Sequence, residues 1–134
     1  MGTAMAPTRF PRTAPLGNEG PRCRAIIAPV ETGWTEPAMF EWELKAESWT
    51  DEHPHCEYNY VIEGQLFVDS GGVTVEALAG DVVRVPAGAT GRYWAPRYAR
   101  LLAIYGPNTG EPSRSLGYEK LEDPGDREQQ EKIR

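Results

Sequence analysis

Between Met39 and Tyr105 the chain is interrupted at short intervals by residues that break helices. Gly64, Ser70-Gly71-Gly72, Ala79-Gly80-Asp81 and Pro86-Ala87-Gly88 fall roughly every ten residues, the rhythm of a β-sandwich or barrel. The whole chain holds 14 glycines and 12 prolines in 134 residues, too many for a helical bundle. Met39 to Lys45 alternates, with Phe40, Trp42 and Leu44 on one face and Glu41, Glu43 and Lys45 on the other. A period of two belongs to a half-buried strand. Together these features restrict the chain to an all-β fold of about eight to ten short antiparallel strands.

The strands follow in order. Arg24–Val30 is a short edge strand ended by Pro29, and Met39–Lys45 is the next. Ala46–Glu52 reads as a polar connection containing Trp49. Tyr58–Glu63 is a strand, Gly64 starts a bend, and Gln65–Asp69 and Val73–Leu78 form a hairpin about Gly71-Gly72. Val82–Val85, Arg92–Trp94 and Tyr98–Tyr105 complete the set. The length suits one domain. Its expected parts are an extended or disordered arm over 1–22, a barrel over 23–110 and a charged tail over 111–134. The tail carries one short helical pattern over 126–133.

Charge and composition exclude some partners. The net charge is −6, from 14 basic and 20 acidic residues, which argues against nucleic acid and anionic membranes. No segment approaches the ~20 apolar residues of a membrane span. The N-terminus lacks the apolar core of a signal peptide. Two cysteines, Cys23 and Cys56, make no disulfide framework and read as free thiols in a reducing cytoplasm. Apolar outer strand faces on a small barrel predict a homodimer.

The chemistry concentrates in His53-Pro-His-Cys-Glu-Tyr-Asn-Tyr-Val-Ile-Glu-Gly64. Both histidines of the chain, His53 and His55, lie there beside Glu57. Imidazoles and a carboxylate this close suit a divalent metal or proton transfer. At strand spacing 53, 55 and 57 share a face; a turn after His53 breaks that set. Beyond it, Glu57, Asn59 and Val61 share one face, and Tyr58, Tyr60 and Ile62 the other. Either the bulky face turns inward, or the polar face lines a cavity while the tyrosines meet a second sheet or subunit. A cavity-facing Glu57 is costly unless paired or ligated, which favours a functional role. Asn59, Arg84 and Trp94 are the candidates for holding a substrate. An inward Arg84 would bind a carboxylate or phosphate; an outward one is ordinary surface. The tryptophans otherwise serve core or interface.

The spacings Glu57 to Gly64 and Gly80, Pro86, Gly88 resemble the two motifs of the cupin superfamily, over residues 38–105. The resemblance implies a small jelly-roll barrel with a site inside. In its ligand frame Asp51 and His53 take the two first-motif histidine positions, and Gly91 takes that of the second-motif histidine. The metal candidates are therefore Asp51, His53 and Glu57, or in a shorter frame His53, His55 and Glu57. Tyr93 lies two residues past Gly91, on the same strand face, and either donates a hydrogen bond to substrate or belongs to the core. Phe40-Glu41-Trp42, Trp49-Thr50 and Gly91-Arg92-Tyr93-Trp94 also resemble the ethanolamine-utilisation type of cupin, which implies a pocket for a small polar metabolite.

The expected function is a small-molecule enzyme with its site inside the barrel, doing lyase, isomerase or cyclase chemistry. Glu57 moves a proton, His53 polarises a substrate oxygen, and Tyr93 assists. One divalent metal (zinc, iron, manganese or nickel) is the expected cofactor, if any. The alternatives are a metal-free ligand-binding or accessory protein without turnover, and a structural subunit whose arm over 1–22 swaps onto a partner.

Overall fold

The computed structural model describes residues 6–17, 19–30, 35–107 and 112–121. Among them the regular structure is all strand, with no helix. The strands are β1 (Cys23–Ile27), β2 (Ala38–Leu44), β3 (Glu47–Glu52), β4 (Glu57–Ser70), β5 (Val73–Leu78), β6 (Val82–Val85), β7 (Thr90–Ala95), β8 (Ala99–Tyr105) and β9 (Arg114–Lys120). All pair antiparallel, in the order β1-β2-β8-β4-β7-β3-β9, with β5 and β6 also on β4. The sheet curls into a half-barrel, as expected for a jelly roll.

β4 is the hinge of this arrangement. Its first half, Glu57 to Gly64, pairs with β8, and Glu57 to Tyr60 also pair with β6. Its second half, Gln65 to Ser70, pairs with β5, and Phe67 to Asp69 with β7. Gly64 makes the crossing, at φ +87°, where a Cβ would lie 2.1 Å from the Tyr98 carbonyl oxygen. Only glycine fits both the torsion and the close approach. The adjacent Gln65 N–H donates to that same carbonyl at 3.0 Å.

The interior is small-volume and aliphatic toward one end. Leu44, Val61, Leu66, Ala95, Ala99 and Leu101 are fully buried and pack with Trp42, Val68, Val85 and Tyr93. Alternation places them: β4 turns Glu57, Asn59 and Val61 inward and leaves Tyr58 and Tyr60 exposed. Of the two faces open in the sequence, the polar one therefore lines the interior.

The structure differs from the sequence reading at three places. Residues 47–52 form β3, a full strand, because β7 and β9 hydrogen-bond to its two edges. Residues 114–120, assigned to a tail, form β9. Residues 57–70 form one bent strand instead of two. The start of the chain is tied back by a two-bond bridge, Leu16 with Cys23, and by the Arg22 carbonyl to the Glu43 N–H at 3.0 Å. The helical pattern at 126–133 and Trp34 lie outside the described residues.

Candidate functional site

The site begins where β3 ends and β4 begins. β3 carries Asp51 inward, opposite Gly91 of β7. The chain then turns at His53-Pro54-His55 and enters β4 at Glu57. The Pro86-Ala87-Gly88 corner holds this turn, since Gly88 N–H donates to the His53 carbonyl at 2.8 Å.

Three ligand atoms meet there. His53 Nε2 lies 3.0 Å from Asp51 Oδ2 and 2.6 Å from Glu57 Oε2. One atom from each residue falls within 4.8 Å of the others. Each residue has an orienting partner. Trp49 Nε1–H donates to Asp51 Oδ2 at 2.9 Å, and Asn59 Nδ2–H to Glu57 Oε1 at 3.1 Å. Trp42 Nε1–H holds Asn59 through Oδ1 at 2.8 Å. Ser113 Oγ meets His53 Nδ1 at 2.5 Å. Such outer contacts fix the tautomer and aim of metal-binding side chains.

The electrostatics follow from burial beside charge. Burial alone would lower the His53 pKa, but the contacts with Asp51 and Glu57 and their charges lift it to about 10. One ring hydrogen at Nε2 then serves two carboxylates. Glu57 Oε2 is the nearer of the two, at 2.6 Å against 3.0 Å for Asp51 Oδ2. A cation replacing that hydrogen would satisfy both oxygens. Ligands at right angles around a metal ~2.1 Å away stand about 3 Å apart, so the spacing fits. Asp51, His53 and Glu57 are thus a candidate metal site with positions left open for a ligand.

A cavity of about 300 Å³ opens onto these three residues. Its walls include Phe40, Trp42, Trp49, Tyr105 and Cys23, with Ser113 and Ser115 from β9 and its approach, and Gly20 and Pro21 from the chain start.

The other expected site residues are not part of the trio. His55 turns away from the trio and stacks with His53 (centroids 5.2 Å apart) and Tyr105 (4.8 Å). Burial and the His53 charge lower its pKa. The turn at Pro54 breaks the strand alternation, so Asp51 takes the third place that His55 would have had. Tyr93 is 1% exposed and does not line the cavity. Its ring covers Gly91, where a Cβ would come within 3.0 Å of Cε2 and 3.2 Å of the hydroxyl. Burial, then the Glu57 and Asp51 charges, raises its pKa. Asn59 is fully buried and spends its amide on Trp42 and Glu57, so it positions Glu57 instead of touching a ligand. Arg84 is exposed on the outer face of β6, because Val83 and Val85 take the inward positions. Trp94 also faces outward, stacked on Phe67 at 5.4 Å with Arg92 4.5 Å above its ring. Neither Arg84 nor Trp94 reaches the cavity.

Residues 38–105 match the model of the cupin domain family. The chain belongs to the cupin family. Solved cupin folds align along most of it. The EutQ protein of Clostridium difficile matches at 21% identity and TM-score 0.53, covering 69% of this chain and 68% of that one. A putative ethanolamine utilization protein Q from Salmonella typhimurium LT2 matches at 26% and 0.52, covering 65% and 69%. A cupin-like protein from Thermotoga maritima MSB8 matches at 18% and 0.66, covering 83% and 90%. No curated protein matches the sequence. The chain is therefore a small cupin resembling the EutQ type. The orienting groups Trp42, Trp49 and Ser113 escaped the sequence reading. Trp42 could have been found from the inward face of β2; Ser113 lies beyond the family match and gave no signal.

Proposed function

We propose that this cupin is a small-molecule enzyme whose site is the Asp51/His53/Glu57 cluster at the cavity floor. The observation that carries it is the convergence of three ligand atoms, each within 4.8 Å of the others. Asp51 Oδ2, His53 Nε2 and Glu57 Oε2 are the atoms that would hold one divalent metal, zinc, iron, manganese or nickel. When bound, such an ion supplies Lewis-acid polarisation of a substrate oxygen. In its absence His53 Nε2–H does the polarising and Glu57 Oε2 takes or gives a proton, as lyase, isomerase or cyclase chemistry requires. Asn59 and Trp42 hold Glu57 in place, and the aromatic walls keep water from the reacting centre.

The same proposal places the protein in the cytoplasm as a homodimer. Support for pairing comes from Tyr58 and Tyr60, each 43% exposed, and Val82, 59% exposed, on one outer face. Among the described residues no helix is long and apolar enough to cross a membrane.

The test is hydrogen exchange in D2O on a panel of small ketones and aldehydes, followed by NMR. At least one compound should gain deuterium beside its carbonyl faster than in buffer. Glu57→Gln should slow that exchange by about 10²-fold or more. Exchange that is absent across the panel, or indifferent to Glu57→Gln, contradicts the enzyme reading. It would favour the second reading, a binding protein without turnover. That reading draws on Gly91, where the second motif has no ligand side chain and Tyr93 fills the space.

A further inference from the structure

We propose that the cavity takes an uncharged, flat small molecule that offers an oxygen to the Asp51/His53/Glu57 cluster, and rejects phosphates and carboxylates. The proposal rests on the reading of that cluster as the active site and names the class of ligand it admits.

Charge is the first argument. No lysine or arginine lines the cavity among the described residues. The neighbouring guanidinium groups are committed on the outer side of the sheet. Arg24 and Arg100 both pair with Glu41, at 2.6 and 2.8 Å, and Arg22 pairs with Glu43. Arg84 is exposed on the far face. Inside, two carboxylates stand against one imidazole. With His53 counted as a full cation, the cluster still carries one net negative charge. With a divalent cation and a neutral imidazole it is neutral. In neither state does its net charge attract a dianion, and in the metal-free state an anionic group set against the aromatic walls would be desolvated without a partner.

The walls make the second argument. Trp42 and Trp49 line the cavity, but their N–H groups already donate to Asn59 and Asp51. They offer a ligand only ring surface. Phe40 and Tyr105 stack with centroids 5.7 Å apart and planes within 3° of parallel, so the wall there is aromatic. Aromatic faces are electron-rich and favour other rings over anions. Outside the trio, the polar side chains on the walls are neutral among the described residues, Ser113, Ser115, Cys23 and Tyr105 beside the two tryptophans. At about 300 Å³ the space is at the lower end for ligand pockets, enough for a single substituted ring.

The test compares two ligands of one shape. 2-Hydroxyacetophenone and 2-hydroxybenzoate share a ring and an adjacent hydroxyl, and differ in carrying a ketone or a carboxylate. Each is titrated calorimetrically into the full chain, metal-free and after zinc addition, with phosphoenolpyruvate as the phosphate probe. Zinc uptake is measured separately beforehand. In the metal-free protein the ketone should bind at least tenfold tighter than the carboxylate, with phosphoenolpyruvate weaker still. Ser115→Lys, at an exposed strand position on the rim, should close that gap by about tenfold while the protein stays folded. Carboxylate or phosphate binding to the metal-free protein as tight as the ketone overturns the proposal. So does the absence of any ketone binding, or a preference unmoved by Ser115→Lys. Failure to take up zinc would count against the metal reading alone, because the metal-free titration still decides the ligand class.

Discussion

One oxygen of each carboxylate in the trio is aimed by a neighbour, Asp51 Oδ2 by Trp49 and Glu57 Oε1 by Asn59, which Trp42 holds in turn. Asn59 shows the cost of this design. It is fully buried and bridges Trp42 to Glu57, so Asn59→Leu strands an indole N–H and a carboxylate oxygen. The expected loss is about 2–4 kcal/mol in thermal or urea unfolding, from two unsatisfied buried groups. Ser113 is different, because it is exposed and meets His53 at its far nitrogen, Nδ1. Ser113→Ala should leave stability nearly unchanged yet weaken metal binding about tenfold, read by competition with a chelator. Asp51, His53 and Glu57 could be singled out in the sequence, because they lie within seven residues of one another. Their orienting partners could not, because they come from strands whose register no local pattern reveals. The place of His55 stayed open in the sequence for a local reason: a strand would align it with His53 and Glu57, and the turn at Pro54 does not.

At the scale of the element, β4 and the turn before β3 carry the strain of the design. Gly64→Ala drives a Cβ into the Tyr98 carbonyl at a positive φ, and should cost ~3 kcal/mol or more, measured by urea unfolding. Ala46 is the one non-glycine residue at positive φ among the described residues, at 51°. Ala46→Gly relieves that and should raise stability by about 0.5–1 kcal/mol. β2 depends on Glu41, which ties Arg24 of β1 and Arg100 of β8 to itself. The hydrogen bond from Arg24, outweighing burial, holds its carboxyl below the ordinary 4.5. The stability it contributes is fully present above about pH 4.5 and is lost as pH falls through its lower folded value. Hydrogen exchange should therefore show β1 loosening first in acid, and Glu41→Gln should loosen it already at neutral pH. The alternating and β-branched strands were readable from their period. β3 was not, since residues 46–52 are hydrophilic and it owes its strand to ladders on both sides. β9 was hidden similarly: only Tyr118 within it is even partly covered, so pairing rather than burial forms it.

Across the described residues the sheet curls, with Glu41 and Glu43 paired to arginines on its outer side and Asp51, His53 and Glu57 gathered inside. That division places the polar face of β4 inside, and the tyrosines outside where a second copy can cover them. Sedimentation should show a dimer, and Tyr60→Glu should shift it to monomer without unfolding it. The family fold was legible because the glycine and proline turns and the two motif spacings are local. The cavity walls were not, because Phe40, Trp49, Tyr105 and Ser113 meet only when the sheet curls. The most direct test is metal content of the purified, untagged chain beside its His53→Ala and Glu57→Ala variants. Close to one divalent ion per chain, lost in both folded variants, is the predicted result. No bound metal after incubation with zinc, iron, manganese or nickel, or metal retained by both variants, would contradict a metal site at Asp51, His53 and Glu57.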